Sequence, residues 1–177
     1  MLEVREINEA RRADINLPNE PFRLFGRMEV SRVDGQWSHR EVLFDGDQVS
    51  EMCFPDENYD YGAMRENSVF LGLYDGEKCV GLAILQDAMF RYLYLYDLKV
   101  SSAYRGRGAA RALIERAREV CKARGYRGLY TQGQDNNLGA CRFYLKNGFV
   151  IGGLNTNVYK GTPQEHKKDI FFYCDAE

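Results

Sequence analysis

The feature that most constrains the fold is a glycine-containing turn placed between a strand and a helix. The run Tyr92–Val100 is rich in aromatic and apolar residues and predicts a strand, while Ala109–Arg124 carries apolar residues at the i, i+3 and i+4 spacing of an amphipathic helix. The connecting turn contains Arg105-Gly106-Arg107-Gly108-Ala109-Ala110. Glycines let the backbone come close to a phosphate, and unpaired amides at a helix start point towards it. The segment therefore predicts an anion-binding loop, to which Arg105, Arg107 and Arg111 add positive charge.

Two other phosphate-binding folds do not fit this loop. Arg111 occupies the position of the last glycine in the dinucleotide-binding fingerprint, and no strand, helix and parallel strand unit surrounds it. The loop also lacks the Gly-Lys-Ser/Thr of a P-loop. The other alternative is a flexible turn with a basic helix start, which the Gly-x-Gly pattern alone would favour.

The order of the remaining elements predicts an α+β domain built on one mostly antiparallel sheet. Pairs of extended segments are joined by turns at Asp34-Gly35 and Asp75-Gly76, and the acidic residues 45–60 predict a loop with a helical turn. A length of 177 residues predicts a single domain. The other predicted elements are the strands Leu2–Ile7, Phe22–Val33, Gln36–Phe44, Val69–Tyr74, Cys79–Leu85, Gly128–Thr131, Phe149–Tyr159 and Asp169–Cys174, and the helix Leu138–Lys146.

Composition argues against several classes of protein. Hydrophobic residues make up 45% and only 4 residues are Pro, which is typical of a globular chain rather than a disordered one. No apolar run approaches the ~20 residues of a membrane span, and the N-terminus does not resemble a secretory signal. The 5 Cys have no Cys-x-x-Cys spacing, so we expect reduced thiols in a cytoplasmic protein and no metal site. A net charge of −2 argues against a nucleic-acid partner.

The small net charge conceals an asymmetry along the chain. Residues 1–66 hold 8 Lys and Arg against 15 Asp and Glu, whereas residues 67–177 hold 16 against 11. Between Glu41 and Asp60 there are seven acids and no Lys or Arg. For any single acid a solvated surface is the better interpretation, but the block indicates a cationic ligand on one side and an anionic ligand on the other.

Two motifs give the chain a specific resemblance. The R-x-x-G-x-A of the loop resembles the coenzyme A pyrophosphate loop of the GNAT superfamily of N-acetyltransferases. About 30 residues later, Asn137-x-x-Ala140-x-x-x-Tyr144-x-x-x-Gly148-Phe149 is similar to a second GNAT pattern. The resemblance implies a GNAT-like α+β fold whose phosphate loop and helix follow the fourth core strand. It also implies an acetyl-CoA-binding core over residues 67–174, with acceptor-side elements in residues 1–66.

The resemblance implies a set of coenzyme-binding residues. The loop would bind the pyrophosphate, Asn137 would hydrogen-bond the pantetheine arm, and two residues of the preceding strand would offer backbone groups to the thioester. These residues are Leu98, Val100, Arg105, Gly106, Arg107, Gly108, Ala109, Ala110 and Asn137.

Within the superfamily, the chain most resembles the streptothricin acetyltransferases. Their L-E-T-Q strand end is similar to Leu129-Tyr130-Thr131-Gln132, their N-x-x-A-C pattern and Gly-Gly pair to Asn137–Gly153, and their Tyr-Lys pair to Tyr159-Lys160. Two departures affect the identity of the substrate. Tyr130 replaces a glutamate that lies where some relatives place their general base, and Gly133-Gln134 are expected to lengthen the following loop.

The candidate general base is Asp97 on the strand that leads into the loop. A lysine-like amine has a pKa of about 10.4, so a base offsets the cost of reaching the neutral amine. The alternative is a strand carboxylate paired with Lys99 or an arginine, and the two interpretations are evenly balanced. Strict alternation places Tyr92, Tyr94 and Tyr96 on the face opposite Asp97.

The candidate general acid is Tyr144, which the resemblance places at the family position. It lies seven residues after Asn137, two helical turns along the same face. Cys141 on the same helix is expected to be a small buried residue rather than a nucleophile. Candidate contacts for the acceptor are Asp56, Glu57, Asp60 and Tyr130.

These observations predict an acetyl-CoA-dependent N-acetyltransferase for a cationic small-molecule amine, most similar to streptothricin. The alternatives are a GNAT enzyme acting on a protein N-terminus or a polyamine, and a non-catalytic acetyl-CoA-binding module. The sequence does not fix the oligomeric state, so a homodimer stays an alternative to a monomer.

Overall fold

The computed structural model of the protein describes residues 1–88 and 90–177. Its elements, in chain order, are β1 (Leu2–Glu6), β2 (Phe22–Leu24), β3 (Gly26–Val33), β4 (Gln36–Leu43), β5 (Ser50–Met52), α1 (Tyr61–Met64), β6 (Ser68–Asp75), β7 (Lys78–Gln86), β8 (Tyr92–Val100), α2 (Ala109–Ala123), β9 (Gly128–Gln134), α3 (Leu138–Lys146), β10 (Val150–Asn155) and β11 (Asp169–Asp175). Two 3-10 helical segments, Glu9–Asn16 and Ser102–Tyr104, complete the set.

These elements form two compact units. Met1–Glu20, Cys53–Leu129 and Asp175–Glu177 make the first unit, and Pro21–Met52 and Tyr130–Cys174 make the second. This division does not test the predicted single domain, which stays a prediction.

The first unit contains an antiparallel sheet with the strand order β1-β6-β7-β8. One face packs against the Glu9–Asn16 segment through an apolar cluster that includes Ile15, Phe70 and Ile84. Helix α2 packs on β6, β7 and β8, and its Leu113 lies against Gly81 of β7. The apolar stripe that predicted this helix is therefore its buried side, with Leu113, Ile114 and Ala117 at 0–2% exposure.

A β-bulge in β8 changes the face on which the candidate base lies. Leu85 of β7 pairs with Leu95, and the next residue, Ile84, pairs with Asp97, so Tyr96 is an extra residue. Gln86, two residues from Ile84 and on the same face of β7, pairs with Tyr94. Cross-strand partners share a face, so Asp97 lies on the side of Tyr94. The expectation that Asp97 faces away from Tyr92 and Tyr94 is wrong, because strict alternation does not survive the bulge.

The second unit contains β9 and β10 on either side of β11, together with two small antiparallel pairs, β2 with β5 and β3 with β4. The β3–β4 hairpin turns at Asp34 and Gly35, with φ angles of 49° and 79°, as the Asp-Gly signal predicts. Helix α3 packs against β2 and β3.

Three details of the second unit differ from the sequence predictions. Residues 50–52 form the short strand β5 where a loop is predicted, and β10 ends at Asn155 rather than Tyr159. Gly133-Gln134 continue strand β9, so they do not lengthen the following loop as expected. Among the described residues, no helix is both long and apolar enough to cross a membrane.

Candidate active site

The loop between β8 and α2 has the backbone geometry of an anion cradle. Gly106 and Gly108 adopt φ angles of 72° and 81°, a region that L side chains rarely enter. An ideal Cβ added to either glycine meets no atom within 4 Å, so both face open space. The first α2 amide to bond a carbonyl of the loop is Ala112, which donates to Gly108 O at 3.0 Å. The amides of residues 109–111 precede it and have no carbonyl partner one turn back in the helix. These features fit a phosphate group.

Arg105 anchors this loop rather than projecting as a free cation. Its Nε donates to the Val100 carbonyl at 3.0 Å, and its Nη2 lies 3.5 Å from the carbonyl oxygen of Glu20. The Glu20 carboxylate accepts the Ser102 amide at 2.8 Å, and hydrogen bonding by the Ser102 side chain and amide holds the pKa of Glu20 below its ordinary value. Arg111 pairs with Glu115 along α2. Because Arg105 is held by carbonyl oxygens, we expect the backbone amides of the loop to contribute more than Arg105 to the binding of an anion.

Asp97 belongs to a cluster of four polar groups in the first unit. Lys99 Nζ lies 3.1 Å from Asp97 Oδ2 and 2.8 Å from Glu57 Oε2, and the Tyr59 hydroxyl donates to Asp97 Oδ2 at 3.2 Å. The side chains of Asp97 and Lys99 are only 14% and 10% exposed. The sequence left open whether Asp97 is a base or a strand carboxylate paired with Lys99, and the structure contains that ion pair. It does not exclude the catalytic role, which stays a prediction.

The two oxygens of Asp97 have different surroundings. Both Lys99 and Tyr59 contact Oδ2, and Oδ1 accepts no hydrogen bond from the described part of the chain. Burial raises the pKa of Asp97 above its ordinary value, while the Lys99 ammonium opposes that shift. The carboxylate therefore keeps one oxygen available as a proton acceptor, on a group that is more basic than an exposed aspartate.

The segment that carries Glu57 and Tyr59 is fixed by two asparagines. Asn16 exchanges two hydrogen bonds with the backbone of Tyr59, and the Asn19 side chain donates to Glu57 Oε1 at 2.9 Å. Burial would raise the pKa of Glu57, but the hydrogen bonds from Lys99 and Asn19 outweigh it and lower that pKa.

The acids assigned to the acceptor therefore also have local roles. Asp56 accepts the Asn19 amide at 2.8 Å, Glu57 pairs with Lys99, and Asp60 caps α1 by accepting the Ala63 amide at 3.1 Å. Their acceptor-binding role stays a prediction, and a substitution of all three also loosens this segment.

The second unit holds Asn137 and Tyr144 on α3. Asn137 Oδ1 caps the helix by accepting the Ala140 amide at 3.1 Å. The Tyr144 ring packs against Phe149 and Phe172, with ring centroids 5.3 and 5.2 Å away, and the residue is 9% exposed. Burial raises the pKa of Cys141 to about 12, which disfavours a thiolate nucleophile on this helix.

Tyr130 occupies strand β9 of the second unit. Its ring stacks on Tyr173 with a centroid distance of 5.8 Å and an interplanar angle of 24°. Burial raises its pKa above the ordinary value, so the hydroxyl stays protonated at neutral pH. Tyr130 cannot supply the carboxylate of the glutamate that it replaces, and its contact with an acceptor stays a prediction.

Sequence reasoning did not identify two contributors to the Asp97 cluster. Tyr59 had no signal, because its contact with Asp97 joins residues 38 positions apart. Lys99 was expected only as the ion-pair partner of a non-catalytic Asp97. The two residues are two positions apart on a strand, so they lie on the same face. Among the residues that the structure describes, no group of three His, Cys, Asp or Glu is arranged to hold a metal ion.

An antiparallel sheet whose fourth strand is followed by an anion-binding loop and a helix is the arrangement expected of an N-acetyltransferase. Comparison of the sequence with known families tests that expectation. The chain belongs to the acetyltransferase (GNAT) family, whose family model matches residues 37–149. The predicted α+β GNAT fold and N-acetyltransferase class are thereby confirmed.

Individual proteins are similar to this chain over most of its length. Streptothricin acetyltransferase A of Bacillus subtilis (strain 168) is 33% identical over 161 residues, which cover 90% of this chain and 92% of the relative. A streptothricin acetyltransferase of Streptomyces lavendulae is 28% identical, with 81% of this chain and 78% of the relative covered. The crystal structure of a Bacillus anthracis str. Ames protein in complex with acetyl coenzyme A is similar with a TM-score of 0.86 and 25% identity, over 99% of this chain and 98% of that one.

Proposed function

We propose that this protein transfers the acetyl group of acetyl-CoA to an amine of streptothricin. The observation that carries the proposal is the 33% identity to streptothricin acetyltransferase A across 90% of this chain. The buried, partly negative cluster around Asp97 supports a cationic acceptor, because a desolvated carboxylate favours a positive partner.

Acetyl-CoA supplies the acetyl group as a thioester. We propose that Gly106, Gly108, and the amides of Ala109 and Ala110 bind its pyrophosphate, and that Arg107 adds positive charge. Leu98, Val100 and Asn137 would contact the pantetheine arm through polar groups. The Val100 carbonyl already accepts a hydrogen bond from Arg105, and the side-chain oxygen Oδ1 of Asn137 caps α3. The open space at the two glycines is the structural support for this placement.

In the proposed reaction Asp97 Oδ1 accepts a proton from the acceptor ammonium. For an amine of pKa about 10.4, only roughly 0.04% is neutral at pH 7, and deprotonation costs about 4–5 kcal/mol. A positioned carboxylate that takes the proton offsets that cost. Tyr144 would donate a hydrogen bond to the sulfur atom that leaves, since a phenol and a thiol have pKa values within about two units of each other.

The test is a substrate screen that measures thiol release from acetyl-CoA. Streptothricin is expected to give the highest kcat/KM, above spermidine and above peptides with a free N-terminus. A higher kcat/KM for spermidine or a peptide would overturn the proposed acceptor. Absence of thiol release with every amine would instead indicate a non-catalytic coenzyme-binding module.

A second experiment tests the base. Asp97→Asn should lower kcat/KM for streptothricin by about 10²–10⁴-fold, which is the usual effect of losing a general base. Asp87→Asn is the matched control, since Asp87 pairs with Arg124 at the surface. Equal activity of the Asp97→Asn enzyme and the parent enzyme would leave Asp97 with a structural role only.

A further inference from the structure

We propose that Lys99, held by Glu57, is a positioning residue that keeps Asp97 ionised and leaves its Oδ1 as the proton-accepting atom. This inference rests on the proposed function, because it concerns the base of that reaction. It also reassigns Glu57 from the acceptor to the support of the base.

The geometry restricts Lys99 to one place. Its ammonium lies between two carboxylates, 2.8 Å from Glu57 and 3.1 Å from Asp97, with only 10% of the side chain exposed. Glu57 is itself fixed, because its second oxygen accepts the Asn19 side-chain amide at 2.9 Å. The ring of Tyr59 also lies under the ammonium, 5.8 Å from its centroid. These three contacts hold the Lys99 ammonium beside Asp97.

This arrangement determines which Asp97 oxygen can react. Lys99 and the Tyr59 hydroxyl both contact Oδ2, so Oδ1 is the oxygen that accepts no hydrogen bond from the described residues. In the proton-transfer step, an N–H bond of the acceptor ammonium breaks and an O–H bond forms at Oδ1. The neutral amine keeps the electron pair, and Lys99 retains its proton throughout.

The charged and titratable groups around Asp97 act in opposite directions. Burial favours the neutral acid and raises its pKa, and the negative charge of Glu57 adds to that effect. The Lys99 ammonium and the Tyr59 hydroxyl lower the pKa by stabilising the carboxylate. The residue that faces Asp97 from β7 is the apolar Ile84. Without Lys99, the group would be protonated at a higher pH and would lose its function as a base.

The cluster also explains why Glu57 contributes little free charge to the acceptor. Its carboxylate and the Lys99 ammonium form the closer of the two ion pairs, so the net charge of Asp97, Lys99 and Glu57 is −1 rather than −2. An approaching cation therefore meets the charge of Asp97, which carries the unpartnered oxygen.

The experiment compares four variants with a matched control. Lys99→Met and Tyr59→Phe each remove a group that stabilises the Asp97 carboxylate, whereas Glu57→Gln removes a charge that destabilises it. Lys99→Arg retains the positive charge. Arg116→Met is the control, because it removes a cation from an exposed pair on α2. Carbon-13 NMR titration of the aspartate carboxyls in the protein without substrate follows Asp97, and kcat/KM for streptothricin is measured across pH.

We expect the Asp97 titration and the acid limb of kcat/KM to move together. Both should shift to higher pH in Lys99→Met and Tyr59→Phe and to lower pH in Glu57→Gln, and both should stay near the parent values in Lys99→Arg and Arg116→Met. At high pH the Lys99→Met enzyme should recover to within about threefold of the parent, since its base is again ionised. Its KM for the amine should not rise, because the cluster is more negative.

Several outcomes would overturn the inference. An Asp97 titration that does not change in Lys99→Met shows that Lys99 does not control its ionisation. A titration that shifts while the acid limb stays in place shows that Asp97 is not the base. If Lys99→Met does not fold, Lys99→Gln, which also removes the positive charge but keeps a polar side chain, takes its place in both measurements. Failure of the proposed function is separate, because inactivity of the parent enzyme towards streptothricin leaves the NMR titration measurable.

Discussion

Replacing Gly108 by Asp tests the anion-binding loop directly. Gly108 is exposed at the start of α2 with a φ of 81°, and a side chain built there enters open space. Asp and Asn tolerate this left-handed conformation better than other non-glycine residues, so Gly108→Asn has a similar backbone cost and a similar shape. The difference between the two variants therefore isolates one negative charge beside the bound pyrophosphate.

The expected magnitude follows from Coulomb's law. Two unit charges at ~4 Å repel by about 4 kcal/mol at an effective dielectric of 20 and by about 1 kcal/mol in bulk water. Because the loop is exposed, the repulsion lies between these limits. Since about 1.4 kcal/mol corresponds to a factor of ten, we expect the Gly108→Asp protein to bind acetyl-CoA between about fivefold and about 700-fold more weakly than the Gly108→Asn protein.

Isothermal titration calorimetry with two ligands provides the assay. Acetyl-CoA should discriminate between the Gly108→Asp and Gly108→Asn proteins, and raising the salt concentration should reduce the difference. Acetylpantetheine, which lacks the pyrophosphate, should bind both variants equally. Thermal unfolding checks that both are folded. Equal affinity of the two folded variants for acetyl-CoA would refute the assignment of this loop to the pyrophosphate.

Three further predictions concern the other candidate residues. Tyr144→Phe retains the ring packing, so it should keep acetyl-CoA affinity within a few fold and lower kcat by about 10²–10⁴-fold; an unchanged kcat where chemistry limits the rate means that Tyr144 only packs. Changing Asp56 and Asp60 together to amides should raise KM for a polycationic amine and flatten its salt dependence, and kinetics equal to the parent at every salt concentration would contradict this. Cys141→Ala should leave kcat within about threefold because the buried thiol stays protonated, and loss of turnover in the folded variant would indicate a covalent role.

Elements with a strong periodic pattern were predictable from the sequence. Strand β8 and helix α3 have the predicted bounds, and α2 ends one residue earlier than predicted, at Ala123. Aromatic and apolar residues along β8 and the apolar stripe of α2 report burial directly, because those side chains form the core. The glycine loop was also predictable, since its positive φ angles favour residues without a Cβ.

Elements that bury few side chains could not be predicted from the sequence. The Glu9–Asn16 segment buries only Ile15 among its eight residues, so it has no detectable apolar period. Strand β5 is three mostly exposed residues that depend on pairing with β2. The surroundings of Asp97 were missed for a related reason. The Lys99–Glu57 pair joins positions 42 apart, and no local pattern encodes such a contact.

The bulge at Tyr96 has a consequence for how this chain is compared with its relatives. Because the bulge accommodates one surplus residue, a gene that lost the Tyr96 codon would encode a regular strand in which Leu95 and Asp97 keep their present faces. Length variation of one residue is therefore compatible with the middle of this strand, where insertions and deletions are usually excluded. Against any chain without the extra residue, an alignment that confines gaps to loops would shift Asp97 by one position and match it with a residue on the opposite side of the sheet.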